Sequence, residues 1–192
     1  MSSVASTYIT PEEYLERERK AETKSEYFRG EVFAMAGASL RHGRIVTNLG
    51  RELSQQLRQK PCSVYSTDIR LGVKATGLYT YPDVMVVCGE ELLADQHLDT
   101  VLNPIVISEV LSESTKNYDR GQKFQSYRTI PSLMEYLTVA QDEIHIEQYV
   151  RQSDQRWLLT EYSDPAATIT LSSIGVELRV GDVYEKVELA GA

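Results

Sequence analysis

The chain has 192 residues, a formal net charge of −8 and a hydrophobic fraction of 42%. This length suits one domain with a full core, so we expect residues 1–192 to form a single domain with flexible ends at 1–7 and 189–192. The negative charge argues against a protein that coats nucleic acid through charge alone. It does not exclude a nuclease, because a local basic groove can coexist with an acidic exterior.

The start of the sequence lacks an apolar leader, and no apolar run is long enough to span a bilayer, which predicts a cytoplasmic protein. Cys62 and Cys88 are the only cysteines, and they lack the spacing of metal ligands. Since cytoplasmic thiols are kept reduced, we predict two buried thiols rather than a disulfide.

A helix and a hairpin are predicted near the start of the chain. The capping box at Thr10–Glu13 predicts a helix that runs to about Ala21. Two short strands should then pivot on Arg29-Gly30, because glycine accepts a positive φ. Glu26 and Glu31 flank this turn. Glutamates at such turns are commonly solvated, and Glu31 is a second-rank site candidate.

The clearest helix is predicted for residues 39–60, where apolar side chains recur at about 100° per residue after a suitable cap, Ser39. His42 lies in the first turn, in line with the apolar face. It is therefore either a core histidine or part of a site. Arginines at every seventh position form a basic stripe, either solvated or a contact for DNA: they are Arg44, Arg51 and Arg58.

Two predicted strands each carry a carboxylate. Residues 79–88 should return antiparallel to residues 62–73, and Pro82 interrupts the ladder so that Asp83 can project into a cleft. The next strand, predicted for residues 105–111, contains Glu109. Either these acids face water at strand ends, or they share a cation or a reaction, because unpaired buried carboxylates are costly. Their hard oxygens favour Mg²⁺ or Mn²⁺ over zinc.

A third helix and a series of strands complete the prediction. The helix spans residues 116–129 and places Lys123 and Tyr127 on one side. The later strands are predicted for residues 133–140, 143–150, 156–162, 168–171 and 176–187. This order predicts an α/β (α+β mixed) fold with a central mixed β-sheet flanked by helices and a C-terminal β-meander.

Several motifs, taken in order, resemble a known family. Pro82-Asp83 followed by Glu109 is similar to the PD-(D/E)XK nuclease superfamily, which implies a restriction-endonuclease-like fold. A wider set resembles the Uma-two family of predicted bacterial endonucleases over about residues 8–188. The set comprises Tyr27-Phe28-Arg29-Gly30-Glu31, Met35-Ala36-Gly37, Tyr81-Pro82-Asp83, Glu109-Val110-Leu111-Ser112, Lys123, Tyr127 and Glu135-Tyr136-Leu137. Where the superfamily carries its lysine, two residues after the glutamate, this chain has Leu111, and Lys123 is the predicted replacement.

The resemblance implies a metal-dependent endonuclease that hydrolyses DNA phosphodiester bonds. Asp83 and Glu109 would hold Mg²⁺ or Mn²⁺, and Lys123 would orient the attacking water or stabilise developing negative charge. His42 and Tyr127 are second-rank candidates near the same cleft. A homodimer is expected, since many enzymes that cut duplexes are dimeric.

Two other classes of protein remain open at this point. A catalytically degenerate nuclease-fold protein with a binding or assembly role is favoured by Leu111 in the usual lysine position and by the net charge of −8. A carboxylate-pair glycosidase ranks last, because Trp157 is the only tryptophan and no aromatic sugar platform is visible.

Overall fold

Two β-sheets and a separate hairpin carry the fold in this computed structural model, which describes residues 8–35, 37–113, 115–153 and 156–189. The strands are, in chain order, β1 (Ser25–Phe28), β2 (Glu31–Ala34), β3 (Cys62–Ser66), β4 (Arg70–Val73), β5 (Leu78–Thr80), β6 (Val84–Cys88), β7 (Thr100–Val101), β8 (Val106–Leu111), β9 (Glu135–Ala140), β10 (Ile146–Arg151), β11 (Trp157–Tyr162), β12 (Thr168–Leu171) and β13 (Val176–Arg179). The helices are α1 (Pro11–Glu18), α2 (Leu40–Leu57), α3 (Lys116–Tyr118), α4 (Phe124–Tyr127) and α5 (Val180–Val183), with a π-helical turn, Asp119–Lys123, between α3 and α4.

Both large sheets are mixed. The first has the spatial order β2-β1-β5-β4-β7, and the second has the order β11-β10-β9-β8-β6-β3. Parallel pairs occur between β4 and β7 and between β8 and β9, whereas the other pairs are antiparallel. The remaining strands, β12 and β13, form a hairpin of their own. The predicted mixed α/β fold is confirmed, with two sheets where one central sheet was expected.

The two long strands predicted at residues 62–73 and 79–88 are wrong as continuous strands. Each is interrupted, and its halves join different sheets: β3 and β6 lie in the second sheet, β4 and β5 in the first. The second interruption falls at residues 81–83, where Pro82 has no N–H to offer a ladder. As a result, Asp83 lies at the junction between the two sheets.

The core fills both faces of the second sheet. Alternate residues of β6 point to opposite sides, as expected for a pleated strand. Val84 and Val86 pack with the apolar face of α2 and with the β12–β13 hairpin, whereas Met85 and Val87 pack with strands of the first sheet and with Tyr127 of α4. The predicted helix at residues 39–60 is thereby confirmed in type and in its buried face.

Several predicted elements differ from the structure in their extent or form. The first helix ends at Glu18 rather than near Ala21. The third helix contains the π-helical turn, which the sequence pattern did not predict. The last strand stops at Arg179, because the backbone there turns into α5. Within the described ranges, no helix has the length and apolar character that crossing a bilayer requires.

The two cysteines form a disulfide, so the prediction of reduced thiols is wrong. Cys62 and Cys88 stand directly opposite one another in the antiparallel β3–β6 pair, with their Cα atoms 3.9 Å apart. This register, which their separation of 26 residues does not reveal, brings the two sulfur atoms into bonding range.

Flexible ends were predicted at residues 1–7 and 189–192, and most of these residues lie outside the described ranges. Leu189, which is described, packs against the core.

Candidate carboxylate–lysine site

Asp83 and Glu109 lie side by side on neighbouring strands, as the sequence predicts. Asp83 immediately precedes β6, Glu109 belongs to β8, and the register of the two strands sets them opposite one another. The Oδ2 atom of Asp83 accepts a hydrogen bond of 2.7 Å from the backbone N–H of Val110. In return, the backbone N–H of Asp83 donates to Oε2 of Glu109 at 3.4 Å. Glu109 is buried at 3% exposure, whereas the Asp83 side chain retains 14%.

Lys123 reaches Glu109 from the π-helical turn rather than from the strand. Its Nζ atom lies 3.2 Å from Oε1 of Glu109, 3.0 Å from Oε1 of Glu26 and 3.3 Å from Oδ1 of Asp119. The side chain is 7% exposed. The structure therefore brings Lys123 to Glu109 despite Leu111 in the usual lysine position. We call Glu26, Asp83, Glu109, Asp119 and Lys123 the carboxylate–lysine cluster.

Two members of this cluster, Glu26 and Asp119, were not predicted as site residues. Glu26 flanks the predicted turn, where glutamates are commonly solvated and a role was left open, yet it is buried and accepts a hydrogen bond from Oγ1 of Thr80. Asp119 precedes Lys123 by four residues, a spacing that brings opposite charges together on a helix and that could have drawn attention to it. No local signal predicted the contribution of Glu26, because its partner comes from a distant segment.

Burial dominates the electrostatics of the cluster. It raises the pKa of Glu109 to about 8, an effect that Lys123 opposes and the charge of Asp83 reinforces. Burial also raises the pKa of Asp119. For Lys123 burial alone would lower the pKa, but the surrounding carboxylates outweigh it and raise the pKa well above its ordinary value. Three acids, Glu26, Glu109 and Asp119, thus surround one ammonium group, and Asp83 lies next to Glu109.

Tyr127 and His42, both second-rank candidates, lie beside the cluster. The hydroxyl of Tyr127 donates a 2.6 Å hydrogen bond to Oε1 of Glu109. His42 is in the first turn of α2, where Ser39 caps the helix, and its Nε2 atom lies 3.2 Å from Oδ2 of Asp83. The imidazole is 15% exposed, so it borders the more accessible carboxylate of the cluster.

Glu31 and the arginine stripe are not brought to the cluster. Glu31 is exposed at the tip of the β1–β2 hairpin. At 100° per residue, Arg44 lies about 200° around α2 from His42, and its seven-residue repeats follow the same side. Arg44 donates to the carbonyl of Lys186 at 2.7 Å, and Arg51 pairs with Glu185 at 2.7 Å. Arg58 is exposed at the end of α2.

Asp83 and Glu109 fit a hard divalent cation. Mg²⁺ is commonly bound through one or two carboxylates, with water and substrate phosphates completing its coordination. Oε1 of Glu109 already accepts hydrogen bonds from Lys123 and Tyr127. From the described part of the chain, its second oxygen receives only the long 3.4 Å bond from Asp83. One oxygen of Glu109 and the carboxylate of Asp83 are the ligands that this arrangement offers.

A second group of potential metal ligands must be distinguished from the carboxylate–lysine cluster in any metal-binding experiment. His145, Glu147 and Glu161 on and beside β10 and β11 place one ligand atom each within 4.8 Å of one another. However, Glu147 already accepts hydrogen bonds of 3.0 Å from Arg120 at both of its oxygens. Its charge is therefore compensated without a metal ion.

The two-sheet architecture and the acids at its junction define a mixed α/β protein of restriction-endonuclease-like fold. A protein from Anabaena variabilis, whose crystal structure is described as a "putative nuclease belonging to DUF820", superposes with a TM-score of 0.75 over 94% of this chain and 99% of that one. The two share 16% sequence identity, so this likeness supports the fold alone.

The chain belongs to the Uma2 family, described as "Putative restriction endonuclease", which residues 11–181 match. Two proteins of Synechocystis sp., both described as uncharacterized, are similar to it. One is 42% identical over 173 residues, which cover 90% of this chain and 98% of the relative. The other is 35% identical over 176 residues, with 92% and 91% covered.

Proposed function

We propose that this protein is a metal-dependent endonuclease that hydrolyses phosphodiester bonds of DNA. The observation that carries the proposal is the convergence of Asp83, Glu109 and Lys123, two adjacent strand carboxylates and an ammonium group bonded to one of them. Membership of a family described as restriction endonucleases supports the reaction class.

Each residue has a definite role in this proposal. Asp83 and Glu109 would hold Mg²⁺ or Mn²⁺, which supplies Lewis-acid chemistry at the scissile phosphate and activates water when it is bound. Lys123 would orient the attacking water or stabilise the negative charge that develops on the phosphate. Tyr127 fixes the orientation of Glu109 through its 2.6 Å hydrogen bond. His42 borders Asp83 at the more exposed side of the cluster, where substrate would arrive.

Calorimetry with Mn²⁺ tests metal binding without any assumption about the substrate. We expect binding by the wild-type protein, and its loss in both Asp83→Asn and Glu109→Gln. The control variant His145→Ala removes the other group of potential ligands and should leave this binding unchanged. If only His145→Ala abolishes binding, the metal is held away from the cluster and the proposal fails.

Cleavage of supercoiled plasmid DNA in the presence of Mg²⁺ or Mn²⁺ then tests the reaction. Lys123→Met should retain metal binding and lose cleavage, because its side chain has similar length but no charge. A Lys123→Met protein that cleaves at the wild-type rate would refute the role of this lysine.

A catalytically degenerate binding protein is the second candidate. It is favoured by Lys123, whose ammonium group is enclosed by three carboxylates. For this class we expect DNA binding or self-assembly without cleavage under any metal condition. A gel-shift titration run beside the plasmid assay distinguishes the two.

The homodimer is also a proposal. It is supported by the edge strand β11, where Leu158 and Leu159 are both exposed. Light scattering tests it, with Leu159→Lys expected to favour the monomer. A cytoplasmic location stays a prediction, and the Cys62–Cys88 disulfide argues against it, since such bonds are rare in reducing compartments.

A further inference from the structure

Three acids surround the ammonium group of Lys123. Carboxylate oxygens from Glu26, Glu109 and Asp119 lie 3.0–3.3 Å from its Nζ atom. The contact with Glu109 is a hydrogen bond, and those with Glu26 and Asp119 are ion pairs. A lysine carries three N–H donors and no acceptor, so a water molecule or a phosphate can be bound at Nζ only where one of these acids makes room.

The three partners differ in what else they do. Glu109 is the acid that is proposed to hold the metal ion, and it faces Asp83 on the neighbouring strand. Glu26 projects from β1 in the first sheet, where Thr80 fixes it. Asp119 belongs to the same π-helical turn as Lys123. Glu26 and Asp119 thus contact Lys123 from β1 and from the π-helical turn, and neither of these elements contributes a proposed metal ligand.

We propose that Glu26 and Asp119 are positioning residues for Lys123, and that the bond from Lys123 to Glu109 is the exchangeable one. When Glu109 turns its charge to a metal ion, the ion pairs with Glu26 and Asp119 continue to hold the ammonium group. The N–H that was bonded to Glu109 is then free to face the attacking water or the phosphate. This inference rests on the proposed function, and it explains how a lysine from a helix replaces one from the strand.

A purely structural ion cluster would not need this composition. Buried ion pairs contribute little net stability, because desolvation offsets their attraction. One acid would suffice to pair one lysine, whereas here Glu26 and Asp119 add negative charge to a site that already holds Asp83 and Glu109. The additional carboxylates have a role if Lys123 must stay in position while Glu109 turns away from it towards a metal ion.

The hydrogen exchange of the Lys123 ammonium group tests the positioning role in the metal-free protein. In protein labelled with ¹⁵N-lysine, we expect one slowly exchanging ammonium signal, which Lys123→Met assigns by removing it. In Asp119→Asn and in Glu26→Gln, its exchange should be at least ~10-fold faster, because one of the charged acids that surround the ammonium group is lost. The two variants change different elements, so if one of them does not fold, the exchange rate in the other still tests the positioning role.

Glu147→Gln is the matched control, since it also removes a buried carboxylate that is bonded to a residue of the π-helical turn, Arg120. In Glu147→Gln, the Lys123 ammonium group should exchange its hydrogens at the wild-type rate. Equal acceleration in all three variants would mean that the turn is merely loosened, and would overturn the positioning role. Unchanged exchange in both Asp119→Asn and Glu26→Gln would overturn it as well.

Addition of Mg²⁺ tests the exchangeable bond. We expect the Lys123 signal to shift and its exchange to accelerate in the wild type, with no response in Asp83→Asn. If calorimetry shows binding at the cluster but the signal does not respond, the release of Glu109 is refuted. If no metal binds at all, the proposed function fails, while the exchange rates of the acid variants still decide whether Glu26 and Asp119 hold the lysine.

Discussion

Glu109→Gln should make the protein's stability less sensitive to pH. Burial raises the pKa of Glu109 from 4.5 to about 8. Above its unfolded-state pKa, folding must therefore either protonate this carboxyl or bury its charge, and both lower the free energy of unfolding. A folded-state pKa above the unfolded one gives stability that is complete below about pH 4.5 and is lost as the pH rises towards 8. At ~1.4 kcal/mol per pKa unit the shift corresponds to about 5 kcal/mol as an upper bound. Local relaxation and entry of water reduce such penalties, so we expect about 2–4 kcal/mol.

Urea denaturation in EDTA at pH 5 and at pH 8.5 measures this effect. The free energy of unfolding of the wild type should fall by about 2–4 kcal/mol between the two pH values relative to that of Glu109→Gln, which mimics the protonated acid. Glu147→Gln serves as the control, because Arg120 and its other hydrogen-bond donors outweigh burial and lower the pKa of Glu147, which keeps it ionised across this range. Parallel pH dependence for the wild type and Glu109→Gln would refute the reasoning.

Three further predictions concern the scaffold around the cluster. Asp99→Asn should cost about 1–2 kcal/mol at neutral pH and much less at pH 2, because the hydrogen bond from Arg19 lowers the pKa of Asp99 to about 2 and the associated stability is lost as the pH falls from about 4 through 2. Thermal unfolding at several pH values checks this. Leu49→Ala should destabilise the protein by about 2–5 kcal/mol through a cavity in the core, with unchanged Mn²⁺ affinity in calorimetry. Reduction of the Cys62–Cys88 disulfide should cost about 2–4 kcal/mol in urea, and an equal unfolding curve with and without reductant would contradict it.

The sequence predicted the parts of the site that local chemistry marks. A carboxylate inside a short β-branched run is unusual enough to single out Asp83 and Glu109, and helical spacing placed Lys123 beside Tyr127. Glu26 could not be found in this way, because its burial depends on Lys123 arriving from a segment almost a hundred residues later. The disulfide depends on the register between β3 and β6, which spacing along the chain does not encode.

For the fold, too, local sequence predicted some features, whereas others depend on contacts between distant segments. Runs of strand-forming residues predicted the strands, but such a run looks alike in one long strand and in two short strands that belong to different sheets. Pro82 signalled the interruption of the second strand, whereas the bend between β3 and β4 had no comparable marker. The helix of residues 116–129 was predicted from the cluster of capping residues that precedes it. Its π-helical turn was not, since caps mark where a helix begins and carry no information on how its later turns are wound.

The carboxylate–lysine cluster also bears on how the protein folds. Its members come from the first sheet, the second sheet and the π-helical turn, so no isolated hairpin or helix can assemble it. Contacts between segments so distant in the sequence form only after the entropic cost of closing long loops has been met. Assembly of the cluster is therefore a late event, and a fragment without the β1–β2 hairpin would lack Glu26 altogether. The protection of the Lys123 ammonium group accordingly reports completion of the whole fold, rather than formation of any one of its parts.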